Sequence, residues 1–338
     1  MINIVENTLR DGSYVINFQF DKKQTKDITN GLSRLGFKMI EVGHGLGLGA
    51  WNNPKAGLSK ENDEAYIQSA VEGAPDADIG VFFIPGIGTA DDMNKAVDLG
   101  IKFIRIGSNV DTYTNTLKFA EQAKKRGLTV AINLMKSYAV KSYEFTTIAK
   151  TIDDWNIADV IYLVDSAGCM MPQDVFEYID RTREQVSTPI GFHGHNNLSM
   201  AIANSMQAIQ AGATYIDTCI RGMGRSAGNA QTEIVIYILQ KMGLSPVDTE
   251  MYALYEFANK YIVPLMPYVQ GLSDEEIHIG ISRFHSSYTP LLEKISKQTN
   301  VDEKRLMKMV SDINCINPAE ELFVAVAEKI KGYVRYNQ

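Results

Sequence analysis

The 338 residues are 45% hydrophobic and 22% charged, a globular composition with apolar mass enough for one large α/β domain and an appendage. A formal charge of −7, with no Lys/Arg stripe interleaved with aromatics, argues against a nucleic-acid path. The N-terminal MINIVENTLRDG lacks a basic leader before an apolar run, and no segment approaches the ~18 uninterrupted apolar residues of a membrane span, so a cytoplasmic location is expected. Cys169, Cys219 and Cys315 are too widely spaced for a disulfide framework or a CxxC metal site and read as buried thiols.

In chain order, short β-branched and apolar runs fall at 2–8 (INIVENT), 37–43 (FKMIEVG), 77–84 (ADIGVFFI), 101–107 (IKFIRIG), 128–134 (LTVAINL), 160–166 (VIYLVDS), 188–194 (TPIGFHG) and 214–220 (TYIDTCI). Between them lie segments of helical spacing such as 21–36, 92–100, 115–127 and 197–212, each closed by a glycine of the kind expected just past a helix end. Eight strand–helix rounds in about 240 residues predict an α/β fold of the (β/α)8 TIM-barrel type, whose usual size is ~250 residues. A doubly wound sheet would want a GxGxxG turn opening a helix, and GHGLGLG at 43–49 has neither the spacing nor the helix. From residue 247 onward the strands stop. Segments 249–272, 282–300, 302–314 and 318–334 read as helices, the first interrupted by Pro264, Pro267 and Gly271. The expected organisation is a catalytic barrel over 1–246 and a small C-terminal helical domain over 247–338, with no linker of low complexity between them.

In such a barrel the loops after the strands build the active site, so polar residues at strand C-termini are the ones to weigh. They are Arg10 and Asp11 after strand one, Glu41 and His44 after strand two, Arg105, Asn133, Asp165 with Ser166, His193 with His195, and Asp217. In FHGHNN (192–197) the i, i+2 spacing of an extended chain sends both imidazoles to one side. Two neutral imidazoles and a carboxylate make a facial set for a divalent ion with positions left open, and Asp11 is the natural carboxylate because strand one closes the barrel beside strand eight. Arg10, Ser166 and His44 are the expected substrate contacts. His278, in the acidic SDEEIHIG, reads as a solvated or packing residue.

Five stretches, TLRDG (8–12), IEVGHGLGL (40–48), DSAGCMMPQDV (165–175), GFHGHNNLSMAIANS (191–205) and GMGRSAGNAQTE (222–233), resemble the motifs of the 4-hydroxy-2-oxovalerate aldolases. These are relatives of 3-hydroxy-3-methylglutaryl-CoA lyase and isopropylmalate synthase. The resemblance runs into the C-terminal helices, FANKYIVPLM and SRFHSSYTPLLEKISKQTNV, which are similar to the domain that docks an acylating aldehyde dehydrogenase in degradative aldolases. It implies that Asp11, His193 and His195 bind Mn2+ or Mg2+, that Asn229 is a ligand or near neighbour of the ion, and that Arg10 stabilises an enolate. It also implies pyruvate and an aldehyde as the small-molecule partners; a homo-oligomer is expected as well. Two positions depart from the family pattern, with Tyr14 where the aldolases have a histidine and His285 where they have a tyrosine. Tyr14, with an ordinary pKa of about 10, is a poor base, whereas His285 would suit base catalysis if the helical domain brings it over the site. No lysine stands at the end of strand six or seven for imine chemistry. Two alternatives stay open: a Claisen-type enzyme acting on an acyl-CoA, and a weakly catalytic partner of a dehydrogenase.

Overall fold

The computed structural model describes residues 2–336. The eight runs form β1 (Asn3–Glu6), β2 (Met39–Val42), β3 (Asp78–Phe83), β4 (Phe103–Asn109), β5 (Thr129–Met135), β6 (Val160–Asp165), β7 (Ile190–Gly194) and β8 (Tyr215–Thr218). All pair in parallel, and β1 meets both β2 and β8, so the barrel is closed. Every residue of β6 and β7 is buried, which is why these strands read as continuous apolar runs rather than alternating ones.

Outside the strands run α1 (Lys22–Arg34), α2 (Asp63–Gly73), α3 (Ala90–Asp98), α4 (Leu117–Lys125), α5 (Ser142–Asp154), α6 (Pro172–Arg183), α7 (Ala201–Ala211) and α8 (Thr232–Lys241). Local chemistry sets their ends. Asp21 and Gln24 close a capping box on α1, Thr89 and Asp92 another on α3, and α7 stops at Gly212 in the left-handed region.

The segment 249–272, expected to be interrupted at its prolines, is broken there. It forms α9 (Met251–Phe257), a wide turn over 258–262 and a tight one at Val263–Leu265, because Pro264 has no N–H to continue the ladder. Its apolar residues Leu254, Phe257 and Ile262, with Val247 before them, belong to the barrel's core. A second core begins at Ile279. It is built by α10 (Asp274–Ser282), α11 (Thr289–Thr299), α12 (Glu303–Ile313) and α13 (Glu320–Tyr336) around Phe284, Leu292, Leu306 and Phe323. This helical part rests on the loops that follow β5 and β7. Asn197 Nδ2 donates to the Glu276 carbonyl at 2.8 Å, Lys136 and Arg283 donate to the carbonyls of Ile316 and Tyr138, and Gly280 leaves just enough room for Leu198. Among the described residues no helix is long and apolar enough to cross a membrane.

Candidate active site and metal centre

Two aromatic rings inside the barrel form the floor of the site, and glycines on neighbouring strands make space for them. A Cβ on Gly191 would lie 2.6 Å from the Tyr162 ring, and one on Gly107 would lie 2.4 Å from Phe82. Above these rings sit guanidinium groups, Arg105 at 4.4 Å from the Tyr162 centroid and Arg10 at 4.7 Å from that of Phe82. The two arginines share one carboxylate. Glu41 Oε2 accepts from Arg10 Nε at 2.6 Å and from Arg105 Nη1 at 3.1 Å. Arg105 also pairs with Asp217, whose Oδ2 lies 2.8 Å from His193 Nδ1. Arg10 in turn donates from Nη1 to Asp11 Oδ1 at 2.8 Å. A chain of alternating charges thus runs from Asp11 to Asp217 through the barrel interior, with every member buried and His193 hydrogen-bonded to its end. Buried charges persist only when so paired.

Asp11, His193 and His195 each offer a ligand atom, and the three atoms lie within 4.8 Å of one another. The second ring nitrogens are already committed. Because Asp217 and Gly228 present only acceptors, His193 Nδ1 and His195 Nδ1 (3.3 Å from the Gly228 carbonyl) are the donors, which leaves both Nε2 lone pairs free for an ion. Burial pushes the His195 imidazole down to about 4, and the neighbouring Arg10 and imidazoles hold the Asp11 carboxyl well below the usual carboxylate range against its own burial. Both groups are therefore in the metal-binding protonation state at neutral pH. Asn229 Nδ2 donates to Asp11 Oδ2 at 2.5 Å and to the Met223 carbonyl at 3.1 Å, while its Oδ1 is buried without a partner. An orphaned acceptor beside two imidazoles and a carboxylate fits a divalent cation. The depressed His195 value has a consequence that NMR can read. In metal-free protein its ring signals should stay constant from pH 8 to about 5 and titrate near 4, because the unfolded chain alone protonates this group near 6.5. Acidification between those values should correspondingly favour unfolding.

Arg10, Asp11, Tyr14, Asn133, Ser166, His193, His195, Arg225 and His285 line one cavity at the C-terminal end of the strands. The helical part does bring His285 over the barrel mouth. Its ring, however, is held neutral well below the ordinary histidine value by burial and by the nearby Arg225 and Lys136, so an ionisation near 6.5 is not expected from it. His285 Nδ1 accepts the Ser287 N–H at 3.2 Å and lies 2.7 Å from Ser287 Oγ, which leaves the ring proton on Nε2. Burial pushes the Tyr14 phenol up, which removes it as a base and leaves it a donor. Ser166 Oγ accepts the Lys136 N–H at 3.0 Å and keeps its own proton to give.

His44 is placed differently from expectation. Its Nε2 lies 3.0 Å from the Gly57 carbonyl, its Nδ1 accepts the Leu46 N–H at 3.0 Å, and its ring stacks on Phe18 at 3.8 Å, outside the cavity. Both nitrogens are used in bracing the loop after β2, so no substrate contact is assigned to it. Asp165 likewise faces backbone, accepting the N–H groups of Cys169 and Met170 at 3.0 and 2.9 Å. His278 is a packing residue, 2.8 Å from the Lys304 carbonyl.

A family model described as HMGL-like matches residues 1–260. The chain belongs to the HMGL-like family. A 4-hydroxy-2-oxovalerate aldolase 2 from Rhodococcus opacus (strain B4) is 34% identical over 331 residues, covering 98% of this chain and 94% of that protein. A 4-hydroxy-2-oxovalerate aldolase from Bacillus thuringiensis (strain Al Hakam) is 33% identical over 329 residues, with 97% and 96% covered. Among solved structures, the N-terminal domain of a Bacteroides vulgatus protein superposes with a TM-score of 0.72 at 25% identity over 88% of this chain and 98% of that one. The carboxyl transferase domain of Rhizobium etli pyruvate carboxylase, solved with pyruvate and biocytin, gives 0.80 at 14% identity over 97% and 61%, a likeness of fold alone. Relatives, barrel and donor set all agree with a metal-dependent aldolase of the HMGL-like family.

Sequence reasoning missed Arg225, which lines this cavity, and Lys136 beside it. Arg225 stands in the loop after β8, inside the quoted GMGRSAGNAQTE, where a basic residue between glycines was the available signal. Lys136 follows β5 directly, two residues beyond the run read as strand.

Proposed function

We propose that this chain is a divalent-metal-dependent aldolase that cleaves or forms the C3–C4 bond of a 4-hydroxy-2-oxo acid through a pyruvate enolate, with Mn2+ or Mg2+ as the ion. The observation that carries this reading is that Asp11, one corner of the donor set, is hydrogen-bonded to Arg10, so ion and guanidinium face one cavity. Asp11, His193 and His195 would hold the ion, with Asn229 Oδ1 beside them. When bound, the ion supplies a Lewis acid for the 2-oxo oxygen.

The side chains supply the rest. Arg10 is fixed by Glu41, Asp11 and the Gly45 carbonyl through Nε and Nη1, and its Nη2 is without a hydrogen-bond partner among the described residues. That group presents fixed positive charge where the enolate oxygen develops, without reorganising as the reaction proceeds. Ser166 donates its hydroxyl proton to the substrate carboxylate. His285 Nδ1 accepts the Ser287 N–H, so the neutral ring carries its proton on Nε2 and serves the 4-oxygen as a donor, and in the cleavage direction the 4-hydroxyl proton passes to solvent water. The C3–C4 electron pair then stays on C3, the aldehyde leaves, and C3 is reprotonated to give pyruvate. Tyr14 orients the 4-oxygen as a donor.

The same reading includes a homo-oligomer and an acylating aldehyde dehydrogenase as partner. Tyr252, Tyr268, Val269, Ile281 and Ile313 are exposed apolar side chains on the C-terminal third, and they support an association surface there.

Incubating Mn2+-loaded protein with a series of 4-hydroxy-2-oxo acids should release pyruvate and an aldehyde, with no thiol appearing when acyl-CoA esters are offered. Thiol release without pyruvate would assign the site to Claisen chemistry instead.

A further inference from the structure

Two cations stand without counter-charges, Arg225 lining the cavity and Lys136 beside it, its backbone N–H donated to the lining residue Ser166. Arg225 is half-buried, with its Cζ 5.1 Å from the Tyr14 ring, and among the described residues its guanidinium makes neither an ion pair nor a hydrogen bond. Lys136 is buried in the left-handed region at φ 59°, which a non-glycine residue adopts only when its surroundings hold it there. Its ammonium meets the carbonyl of Ile316 and the face of the Tyr288 ring at 5.3 Å, and no carboxylate pairs with it. Burial and Arg225 together lower it to about 8; Asp111, the nearest acid acting on it, is exposed. His285 lies between them, held neutral in part by both cations. The contrast with Arg10 is plain, because Arg10 has Glu41 and Asp11 against it. Unpaired positive charge is costly where it is buried, as on Lys136, and an anionic ligand would supply the missing counter-charge.

Resting on the aldolase reading, we infer that the aldehyde this enzyme adds to pyruvate, or releases, carries an anionic group, a carboxylate or a phosphate, bound by Arg225 and Lys136. The reaction itself is unchanged in its balance. The pyruvate methyl loses a proton to a base, C3 bonds to the aldehyde carbon, and the carbonyl oxygen takes a proton to become the 4-hydroxyl, with no oxidant or reductant. The product is then a 4-hydroxy-2-oxo acid with a second anionic group at its far end. A neutral alkyl aldehyde would leave both cations unpaired, which is how a site built for a polar group rejects its apolar analogue.

The test uses Mn2+-loaded full-length protein, pyruvate and matched aldehydes: glyoxylate and succinic semialdehyde for the carboxylate arm, glyceraldehyde 3-phosphate for the phosphate arm, and acetaldehyde, propanal and butanal as neutral controls. One anionic arm should exceed the neutral aldehydes in kcat/KM, and Arg225→Gln should lower that ratio by about 10- to 100-fold, the loss expected for a hydrogen bond to a charged group. Lys136→Met should shift the ratio in the same direction and serves if the first variant does not fold. A wild-type preference for neutral aldehydes overturns the inference. So does an Arg225→Gln variant that loses all aldehydes equally while its KM for pyruvate rises, since Arg225 would then hold pyruvate. Deuterium exchange into the pyruvate methyl group, measured without aldehyde, separates the two claims. Exchange with a neutral preference removes this inference alone, whereas no exchange and no turnover removes the aldolase reading and this inference with it.

Discussion

Asp11→Asn, His193→Ala and His195→Ala are each expected to lose stoichiometric Mn2+ and to bring turnover to background, a fall of at least about 10³-fold if the ion supplies the several kcal/mol of Lewis-acid stabilisation usual for such centres. The reason is geometric. The three donor atoms lie within 4.8 Å of one another, and each imidazole is aimed by a second bond, His193 by Asp217 and His195 by the Gly228 carbonyl. Removing one donor leaves two, and the neutral Asn229 Oδ1 beside them does not replace the lost carboxylate or imidazole. Metal analysis after gel filtration, with circular dichroism to verify folding, reads the outcome. A His193→Ala/His195→Ala double variant that still carries one Mn2+ per chain would place the metal elsewhere.

Arg10→Lys should keep the ion yet lose about 10²- to 10³-fold in kcat, the range for removing one fixed donor from a developing oxyanion. Lysine preserves the charge but is a point donor on a flexible stem. It cannot hold Glu41 and Asp11 through separate nitrogens and still present a third to the substrate. Glu41 retains Arg105 at 3.1 Å, so the fold should tolerate the change. Metal content equal to wild type together with reduced kcat is the expected pairing. Unchanged kcat would make Arg10 a structural brace for Asp11.

The barrel was legible because its parallel strands are buried on both faces, so each appears as an apolar run ended by a polar residue. The juxtaposition of the three donors was legible for the same reason: the i, i+2 rule of extended chain aligns His193 with His195, and barrel closure brings β1 to β8 and hence Asp11 nearby. His44 was not, since nothing in IEVGHGLGL tells that the loop turns the imidazole back onto Phe18 and the Gly57 carbonyl. A strand-end position predicts which face of the barrel a residue reaches, and the loop's own hydrogen bonds decide where its side chain goes. Arg225 and Lys136 were overlooked because their meaning depends on what is missing around them, and an absent counter-charge is a property of three dimensions. The segment 247–265 was grouped with the later helices on the loss of strands, whereas its apolar face packs with the barrel. Periodicity states that a helix has an apolar face and is silent about which core receives it.

On the proposed mechanism the Asp11–His193–His195 centre and Arg10 together stabilise a pyruvate enolate. Proton NMR of pyruvate in D2O tests it without knowledge of the aldehyde. Wild-type protein loaded with Mn2+ and then exchanged to Mg2+ for observation should wash out the methyl signal catalytically, chelation should stop the exchange, added Mg2+ should restore it, and Arg10→Lys with full metal should be slow. Exchange that continues undiminished after chelation, or none at all from fully metal-loaded protein, would contradict the account.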